Sequence, residues 1–343
     1  MSTKPKVLMV ILNHNSSEKL GEETYKFLES IMMTRYDNLD IVIVDNGSTD
    51  GSIEEIEKRF GHLTNVKIIK SSTNLGYAGG NNLGFKAHGL GSKYVVFINN
   101  DIEVEEDWLG KIIEIMEKNP SIAAAQPKIL QLRNKEIIDS LGGKIDKLGR
   151  AYDLFHGLRD KENITRPFET FYARGAAIVI RSEIFRRLQG FDEDYFIYYE
   201  ETDLCWRIRL LGYRIVTVPN SKVYHLGGGT TGGPTPYITY LRRRNQLMML
   251  LKNYSFKNIL KYVPPLCILY IVYSLKRLIL RRDVMIFKIY MSAILWNLRN
   301  FKKIITKRRI IQNLRRVSDD AVLKHMMTIR EYDVISAIMA RKY

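Results

Sequence analysis

The sequence predicts an α/β protein whose mostly parallel sheet carries helices on both faces, followed by a basic, amphipathic helical region. Two observations predict this fold class. In the first 130 residues, short apolar runs alternate with helix-length amphipathic segments, which is typical of parallel strands buried on both faces. The excess of positive charge lies in a later segment. We therefore expect an α/β domain over residues 1–240 and a helical region over residues 241–343.

The first half of the domain, residues 1–130, is predicted to contain five strands. They span residues 7–13, 41–46, 66–72, 94–101 and 123–130. Residues 131–240 contain shorter apolar runs, a helical stretch that includes Glu200–Leu211 and a strand at 214–219, and we interpret them as the second half of the same domain. Further along the chain, Pro264 and Pro265 are expected to interrupt a helix.

The composition argues against several classes of protein. Of the 343 residues, 45% are hydrophobic and 26% are charged, as in ordinary globular proteins, so neither a disordered chain nor a polytopic membrane protein fits. Cys205 and Cys267 lack metal-ligand spacing, which favours two packed thiols in a reducing compartment. The apolar run before Asn13 is too short for a signal peptide, so we expect the α/β domain to stay in the cytosol.

The net charge of +16 comes from one segment. Residues 241–316 contain 19 basic and one acidic side chain, whereas residues 1–240 contain 30 and 32. A basic segment rich in apolar residues predicts attachment to an anionic membrane surface. One alternative is a nucleic-acid-binding protein, for which the segment is too apolar, and we expect no nucleic-acid partner. Another is that these helices pack on the α/β domain or form a dimer interface.

Two apolar stretches of this segment, residues 263–275 and 284–298, are shorter than the roughly 20 residues that a spanning helix needs. In the second stretch, five residues fall on one helical face: Ile286, Ile289, Tyr290, Ala293 and Trp296. This pattern predicts a helix that lies in the membrane interface. We therefore expect a peripheral protein on the cytoplasmic face of the cell membrane.

Polar clusters follow four of the predicted strands, at residues 13–15, 45–50, 74–76 and 99–101. The carboxyl ends of parallel strands meet at one edge of a sheet, where ligands bind. Asp45 is well suited there to accept the imide N–H of a pyrimidine base, although its sequence, VDNGSTD, also fits an ordinary strand–turn–helix cap.

The stretch NLGYAGGNNLG, residues 74–84, is not a dinucleotide-binding motif, because it lacks the G-x-G-x-x-G spacing and does not follow the first strand. We expect its glycines to allow close approach to a nucleotide. Asn81 and Asn82 are expected to cap the next helix.

Two groups of carboxylates are candidates for chemistry. Asp101 follows a buried strand and can bind Mg²⁺ or Mn²⁺, with diphosphate oxygens and water as further ligands, although an Asx turn is the alternative. Glu200, Glu201 and Asp203 open a helix next to the aromatic residues 195–199, and together they are predicted to form an acceptor pocket that holds a general base. We expect the helix N-terminus to keep that base ionised at neutral pH.

Six motifs in this order resemble an inverting family 2 glycosyltransferase of the GT-A fold, with a Rossmann-like sheet, and most closely its rhamnosyltransferase-like branch. They are VILNHN, VDNGSTDGS, NLGYAGGNN, INND, GFDEDYFIYYEETDLCWR and VYHLGGGT, within residues 5–240. The resemblance implies a metal site at Asp101 and His225 and a catalytic base at Glu201, with Asp203 as its competitor. It also implies nucleotide-sugar binding by the motif residues Asn13, Asn15, Asp45, Asn74, Gly76, Asn82, Asn99 and Asn100.

The resemblance implies a dTDP- or UDP-sugar donor, a lipid-linked or glycan acceptor, and Mg²⁺ or Mn²⁺ as cofactor. Two departures from the family pattern concern the site. Asn99 replaces the first aspartate of the D-x-D motif, and Glu201 stands where the family commonly has aspartate. A nucleotidyltransferase is the enzyme alternative, but residues 13–16 lack the glycine-rich basic loop that such enzymes usually carry after the first strand.

Overall fold

The computed structural model describes residues 4–160, 164–227 and 235–328. The chain forms two compact units. The N-terminal unit comprises residues 1–143, 153–208 and 213–232, and the C-terminal unit comprises residues 144–152, 209–212 and 233–343. The predicted boundary at residue 240 thus differs from that of the structure, and two short segments from earlier in the chain join the C-terminal unit.

Twelve strands are formed by the described residues. They are β1 (Val7–Asn13), β2 (Leu39–Asn46), β3 (Val66–Ser71), β4 (Tyr94–Asn99), β5 (Ile102–Val104), β6 (Ile122–Gln131), β7 (Asn134–Ser140), β8 (Gly143–Ile145), β9 (Ala151–Asp153), β10 (Phe168–Glu169), β11 (Ala177–Arg181) and β12 (Arg214–His225). Ten form one sheet in the order β10-β12-β6-β11-β4-β1-β2-β3, with β5 on β12 and β7 on β6, and β8 pairs with β9.

The central strands follow from their sequences. β1, β2 and β4 are almost entirely buried apolar runs and pair in parallel, with Asn13 opposite Asp45 and Leu12 opposite Asn99. This register brings their polar ends to one edge, as predicted. β11 runs antiparallel between β4 and β6, which makes the sheet mixed. The sequence of an apolar strand that is buried on both faces does not show whether the strand runs parallel or antiparallel to its neighbours. The antiparallel direction of β11 was therefore not predicted.

The helices cover the sheet and build the C-terminal unit. They are α1 (Ser16–Leu20), α2 (Glu23–Met32), α3 (Ser52–Phe60), α4 (Gly76–His88), α5 (Trp108–Lys118), α6 (Ser182–Arg187), α7 (Glu200–Leu210), α8 (Pro236–Asn253), α9 (Phe256–Arg281), α10 (Val284–Arg299), α11 (Phe301–Leu314) and α12 (Asp319–Leu323). The α/β fold class and the C-terminal helical region are as predicted.

The C-terminal unit differs from the sequence prediction in two respects. Pro264 and Pro265 do not interrupt the helix, because α9 continues through both of them. The face of α10 that we expected to meet lipid packs inside the unit instead: Ala293 is fully buried, and the ring of Tyr290 stacks edge-to-face on Tyr270 with centroids 4.9 Å apart. An apolar helix face can be covered by protein or by lipid, and its sequence alone does not distinguish the two.

Candidate functional site

Asn13, the last residue of β1, is the centre of a hydrogen-bond network at the strand ends. Its Nδ2 donates to Ser52 Oγ at 3.0 Å and lies 3.4 Å from Asp45 Oδ1. Its Oδ1 accepts from Ser16 Oγ at 2.6 Å and from Asn100 Nδ2 at 3.3 Å. Both ends of the amide are thus engaged by protein, so Asn13 helps to hold Asp45 and Asn100 in place.

The loop that follows β2 is tied to the loop that follows β1. Asn15 has a left-handed backbone (φ 48°), which asparagine tolerates better than most residues. Its N–H donates to Ser48 Oγ at 3.0 Å, and its Oδ1 accepts from the Thr49 N–H at 2.9 Å. The buried carboxylate of Asp45 accepts from the Ser48 N–H at 3.4 Å. Asp45 therefore lies at the edge of the sheet where the sequence predicts it.

Asn46 positions the next polar cluster, a role that the sequence analysis missed. Its Nδ2 donates to Asn74 Oδ1 and to the Gly76 carbonyl, each at 3.1 Å, and its Oδ1 accepts from the Leu75 N–H at 2.9 Å. The exposed Asn74 also pairs with His14 Nε2 at 3.0 Å. The ends of β1, β2 and β3 are thereby joined into one surface.

The glycines of α4 allow close packing of the helix. Gly76 has φ +70°, and a Cβ there would collide with the ring and carbonyl of Phe196. A Cβ on Gly80 would collide with Leu12, and one on Gly84 would crowd β1 and β2. The missing side chains let α4 lie directly on the sheet.

Asn82 was predicted to cap a helix and to bind nucleotide-sugar, but it lies inside α4. Its Nδ2 donates to the Phe191 carbonyl at 2.8 Å, and its Oδ1 accepts from the Phe191 N–H at 2.9 Å. Asn81 is also internal, and it donates to the Tyr77 carbonyl at 2.9 Å. Asn82 therefore joins α4 to the segment before α7. The bonded residues lie more than a hundred positions apart in the sequence, so no local motif could reveal this contact.

Asp101 fits a cation site. It follows β4 directly after Asn99, which is half-buried, and Asn100, which is buried. Asp101 is 1% exposed, and neither carboxylate oxygen has a hydrogen-bond partner. A buried carboxylate without partners is costly, and a bound cation would compensate that cost. The ring of His225 faces this carboxylate, with its Nε2 3.5 Å from Asp101 Oδ1.

His225 ends β12 and reaches Asp101 because β12 pairs with β5, the strand that follows Asp101. Its other ring nitrogen, Nδ1, lies 2.8 Å from Asp139 Oδ2. Burial lowers the pKa of His225, but Asp101 and Asp139 outweigh burial and raise it to about 9. Burial raises the pKa of Asp139, but His156, His225 and Arg174 hold it well below its usual range. Negative charge thus dominates the surroundings of His225.

Asp101 and His225 supply two candidate ligands. Within residues 4–160, 164–227 and 235–328, no cluster of three His, Cys, Asp or Glu side chains is arranged to hold a metal ion. Mg²⁺ and Mn²⁺ commonly keep oxygen ligands from water and substrate phosphates beside one or two protein groups. The residues present therefore fit a divalent cation bound together with a diphosphate.

Glu201 lies in the first turn of α7, and its Oε2 is buried without a hydrogen-bond partner. Burial raises the pKa of Glu201 to about 7, and burial together with the neighbouring Glu201 raises the pKa of Glu200 well above its ordinary value. The base is therefore only partly ionised at neutral pH, where the sequence predicted an ionised base, because desolvation outweighs the helix N-terminus. A carboxyl group with a pKa near 7 is well matched to proton abstraction.

Asp203 has a structural environment. It is fully buried, and it accepts hydrogen bonds from Tyr195 Oη at 2.9 Å and from Arg207 Nε at 2.7 Å. Arg207 also donates to the carbonyls of Leu188 and Gly190 at 2.8 and 3.0 Å. The geometry therefore argues against Asp203 as the base and favours Glu201.

The segment before α7 has an unusual backbone. Phe196, Tyr198 and Tyr199 have φ values of 64°, 68° and 73°, a region that bulky residues rarely occupy. The Phe196 carbonyl accepts a hydrogen bond from the Ala78 N–H at 3.2 Å. Such strain clusters at functional sites, so it supports a role for these aromatic residues next to Glu201.

A sequence-family model, glycosyl transferase family 2, matches residues 9–189, more than half of the chain. The chain belongs to glycosyltransferase family 2. It is 26% identical over 203 residues to the low-salt glycan biosynthesis hexosyltransferase Agl10 of Haloferax volcanii, a match that covers 59% of this chain and 61% of the relative. It is also 26% identical over 233 residues to the N-acetylglucosaminyl-diphospho-decaprenol L-rhamnosyltransferase of Mycobacterium tuberculosis, covering 62% of this chain and 74% of the relative.

Solved structures share the fold. GalNAc-T7, solved with UDP, GalNAc and Mn²⁺, has a TM-score of 0.59 at 18% identity, covering 74% of this chain and 49% of that one. The mannosyltransferase PcManGT of Pyrobaculum calidifontis, in complex with GDP-Man and Mn²⁺, has a TM-score of 0.53 at 14% identity. This match covers 94% of this chain and 88% of that one. The predicted family and GT-A fold class are therefore confirmed.

Proposed function

We propose that this protein transfers a sugar, with inversion, from a dTDP- or UDP-sugar to a lipid-linked or cell-surface glycan acceptor. The observation that carries the proposal is the buried carboxylate of Asp101, which has no hydrogen-bond partner and faces His225 at the edge of the sheet where Asp45 also lies. Rhamnose is the first candidate sugar, because one relative is named for L-rhamnosyl transfer.

Each residue of the site has a separate role in this reaction. Asp45 accepts the imide N–H of uracil or thymine, whose hydrogen-bonding edges are nearly alike. Glu201 removes the proton of the acceptor hydroxyl, which then displaces the diphosphate in line at the anomeric carbon. Asp101 and His225 would hold a divalent cation, which when bound supplies positive charge against the departing diphosphate.

A panel of nucleotide sugars tests the proposal as a whole. UDP- and dTDP-sugars, each with and without Mn²⁺, are scored for a rise in melting temperature and then for transfer to a polyprenyl-diphosphate sugar. We expect the largest rise with a UDP- or dTDP-sugar plus Mn²⁺, because a ligand that binds only the native state stabilises it. GDP-sugars serve as the control. If no pyrimidine nucleotide sugar stabilises the protein, the proposed donor class is wrong.

Asp45→Ala is expected to raise the donor KM roughly 10- to 100-fold while kcat changes by less than about threefold. A charged hydrogen bond contributes about 1.5–3 kcal/mol, and a contact to the base is equally strong in the ground and transition states. Steady-state kinetics with varied donor measure both constants. Asp50→Ala is the matched control, since Asp50 lies in the same loop and accepts hydrogen bonds from the N–H groups of Glu18 and Ser52. An unchanged KM in Asp45→Ala would remove Asp45 from the donor site.

We also propose that the protein binds the cytoplasmic face of an anionic membrane through α9. By length and composition α9 could cross a membrane, and only 17% of its most apolar 18-residue window is buried. Its exposed apolar side chains include Ile268, Val272 and Ile279, which are 59%, 57% and 73% exposed. Such a continuous exposed apolar surface is typical of an interaction site.

Two features favour a peripheral position over a spanning one. The uncharged part of α9 between Lys261 and Lys276 has 14 residues, which span about 21 Å against a hydrocarbon core of about 30 Å. Every fourth residue of α9 forms a buried stripe that packs within the C-terminal unit: Asn258, Tyr262, Leu266, Tyr270 and Ser274. With one face held by protein and the other exposed, α9 is suited to lie in the interface, where its basic residues meet anionic headgroups.

The full-length protein is expected to sediment with vesicles that contain phosphatidylglycerol and to bind phosphatidylcholine vesicles more weakly. The double variant Val272→Glu/Ile279→Glu should weaken binding at least about 100-fold, since each buried apolar side chain contributes roughly 1.5–3 kcal/mol. Leu90→Glu is the matched control, because Leu90 is 90% exposed but lies in the N-terminal unit. Equal binding by the double variant would contradict the role of α9. Wild-type protein that high salt cannot release, and that only detergent extracts, would instead indicate an inserted helix.

A further inference from the structure

Asp139 is a buried carboxylate that the sequence analysis did not single out. It lies near the end of β7, and β7 pairs with β6, which in turn pairs with β12. This order brings Asp139 from two strands away to His225, the last residue of β12. No motif of the sequence marks Asp139, because its position depends on the pairing of three strands.

The ring of His225 faces a different carboxylate with each nitrogen. Its Nδ1 lies 2.8 Å from Asp139 Oδ2, within hydrogen-bond distance, and its Nε2 lies 3.5 Å from Asp101 Oδ1. A neutral imidazole carries one N–H and one lone pair. If Nδ1–H donates to Asp139, the lone pair of Nε2 points to the side of Asp101, as a metal ligand requires.

Asp139 is itself held in place from a second side. Arg174 Nη1 lies 3.0 Å from Asp139 Oδ2 and also donates to the Asp139 carbonyl at 3.3 Å. His156 Nδ1 lies 2.8 Å from the same carbonyl. The carboxylate is thus anchored independently of His225, so it can impose an orientation on the imidazole ring.

We propose that Asp139 is a positioning residue that fixes His225 in its Nδ1–H tautomer and directs Nε2 to the divalent cation shared with Asp101. The proposal rests on the proposed function for the identity of the cation site. Asp139 does not contact the metal or the sugar nucleotide. It acts through His225, and its removal leaves both candidate ligands in the chain but releases the ring.

The test measures Mn²⁺ affinity and the histidine tautomer in the full-length protein. Free Mn²⁺ is titrated by electron paramagnetic resonance in the presence of UDP. The tautomer is read from ¹⁵N chemical shifts of labelled histidine in the metal-free protein at a pH above the pKa of His225, which is about 9, because only the neutral imidazole has tautomers. Asp139→Ala is expected to weaken Mn²⁺ binding about 10- to 100-fold, as loss of an outer-shell partner typically does. The His225 resonances should change from those of an Nδ1–H ring to those of a mixture of tautomers.

Asp153→Asn is the matched control. Asp153 Oδ2 lies 3.6 Å from Arg174 Nη1, so this variant removes a charge beside the same arginine without touching His225. Its Mn²⁺ affinity should stay within about threefold of wild type. The variant Asp139→Asn keeps the shape of the side chain. It replaces Asp139→Ala in the same measurements if Asp139→Ala does not fold. We expect it to weaken Mn²⁺ binding at least fivefold, because an amide oxygen is a poorer acceptor than a carboxylate.

The outcomes separate this inference from the proposed function. If the wild type binds Mn²⁺ and the Asp139 variants bind it equally well with an unchanged His225 tautomer, the inference is wrong. If Asp101→Asn binds Mn²⁺ as tightly as wild type, the proposed metal site is wrong, and the tautomer measurement on the metal-free protein still decides the role of Asp139. Equal weakening by Asp153→Asn and Asp139→Asn would assign the effect to Arg174 and overturn the inference.

Discussion

Glu201→Gln is expected to lower kcat by about 10²- to 10⁴-fold and to leave the donor KM within about threefold of wild type. The amide keeps the shape of the side chain but cannot accept the proton of the acceptor hydroxyl, and general-base catalysis contributes a factor of this size. In the wild type, kcat should rise with pH and level off above about 7, since burial raises the pKa of Glu201 to about 7 and only the deprotonated form accepts a proton. The variant should lack this rise. Initial rates from pH 5 to 9 measure both effects.

Glu200→Gln is the matched control for this prediction. Burial and the neighbouring Glu201 raise the pKa of Glu200 well above its ordinary value, so the charged form is disfavoured and glutamine is a neutral replacement of similar size. We expect activity within a few-fold of wild type. If Glu200→Gln loses as much activity as Glu201→Gln, or if Glu201→Gln keeps its activity, the assignment of the base is wrong.

Asp101→Asn is expected to lower kcat/KM at least about 100-fold at saturating Mn²⁺, with at most partial recovery when Mn²⁺ is raised further. A neutral amide is a poor ligand for a hard cation. Activity is measured against Mn²⁺ concentration after treatment with EDTA.

Asp107→Asn provides the comparison for Asp101→Asn. Asp107 is an aspartate at the start of α5 that forms an exposed ion pair with Lys111 at 2.7 Å, so its loss should change activity little. Full wild-type activity in EDTA would show that transfer does not need the cation, and the proposed role of Asp101 and His225 would then be abandoned.

The sequence predicted the strand ends of the site well, because buried parallel strands are apolar and their polar ends are conspicuous. Asp45, Asp101 and His225 lie where the motifs put them. The contacts of Gly76 with Phe196 and of Asn82 with Phe191 were not predicted, because both partners come from a segment more than a hundred residues later. A local sequence pattern predicts a single helix or strand. The contacts of Gly76 and Asn82 depend instead on which distant segment packs against their helix.

The sequence could not decide between Glu201 and Asp203 as the base for the same reason, because the answer depends on long-range packing. Both residues lie in the first turn of α7, but the structure encloses Asp203 between Tyr195 and Arg207 and leaves a Glu201 oxygen without a partner. Spacing on a helix gives the angle between two side chains and does not say which of them faces a ligand. The prolines of α9 were also misinterpreted, since a helix supported by neighbouring helices can continue through residues that would end an isolated one.

The way the chain returns to the C-terminal unit has a consequence for synthesis on the ribosome. Residues 144–152 belong to that unit, where Lys147 and Leu148 accept hydrogen bonds through their carbonyls from Tyr254 and Gln246 at 2.9 and 2.7 Å. These partners are made about a hundred residues later, which at 5–20 residues per second corresponds to roughly 5–20 s. During that interval the carbonyls of Lys147 and Leu148 lack these native partners, so the nascent segment is more accessible to proteases and chaperones. Translation that stalls or ends before Gln246 would therefore yield a chain in which this segment stays exposed. Cellular quality control could recognise such a chain by this segment, even where the preceding strands have already folded.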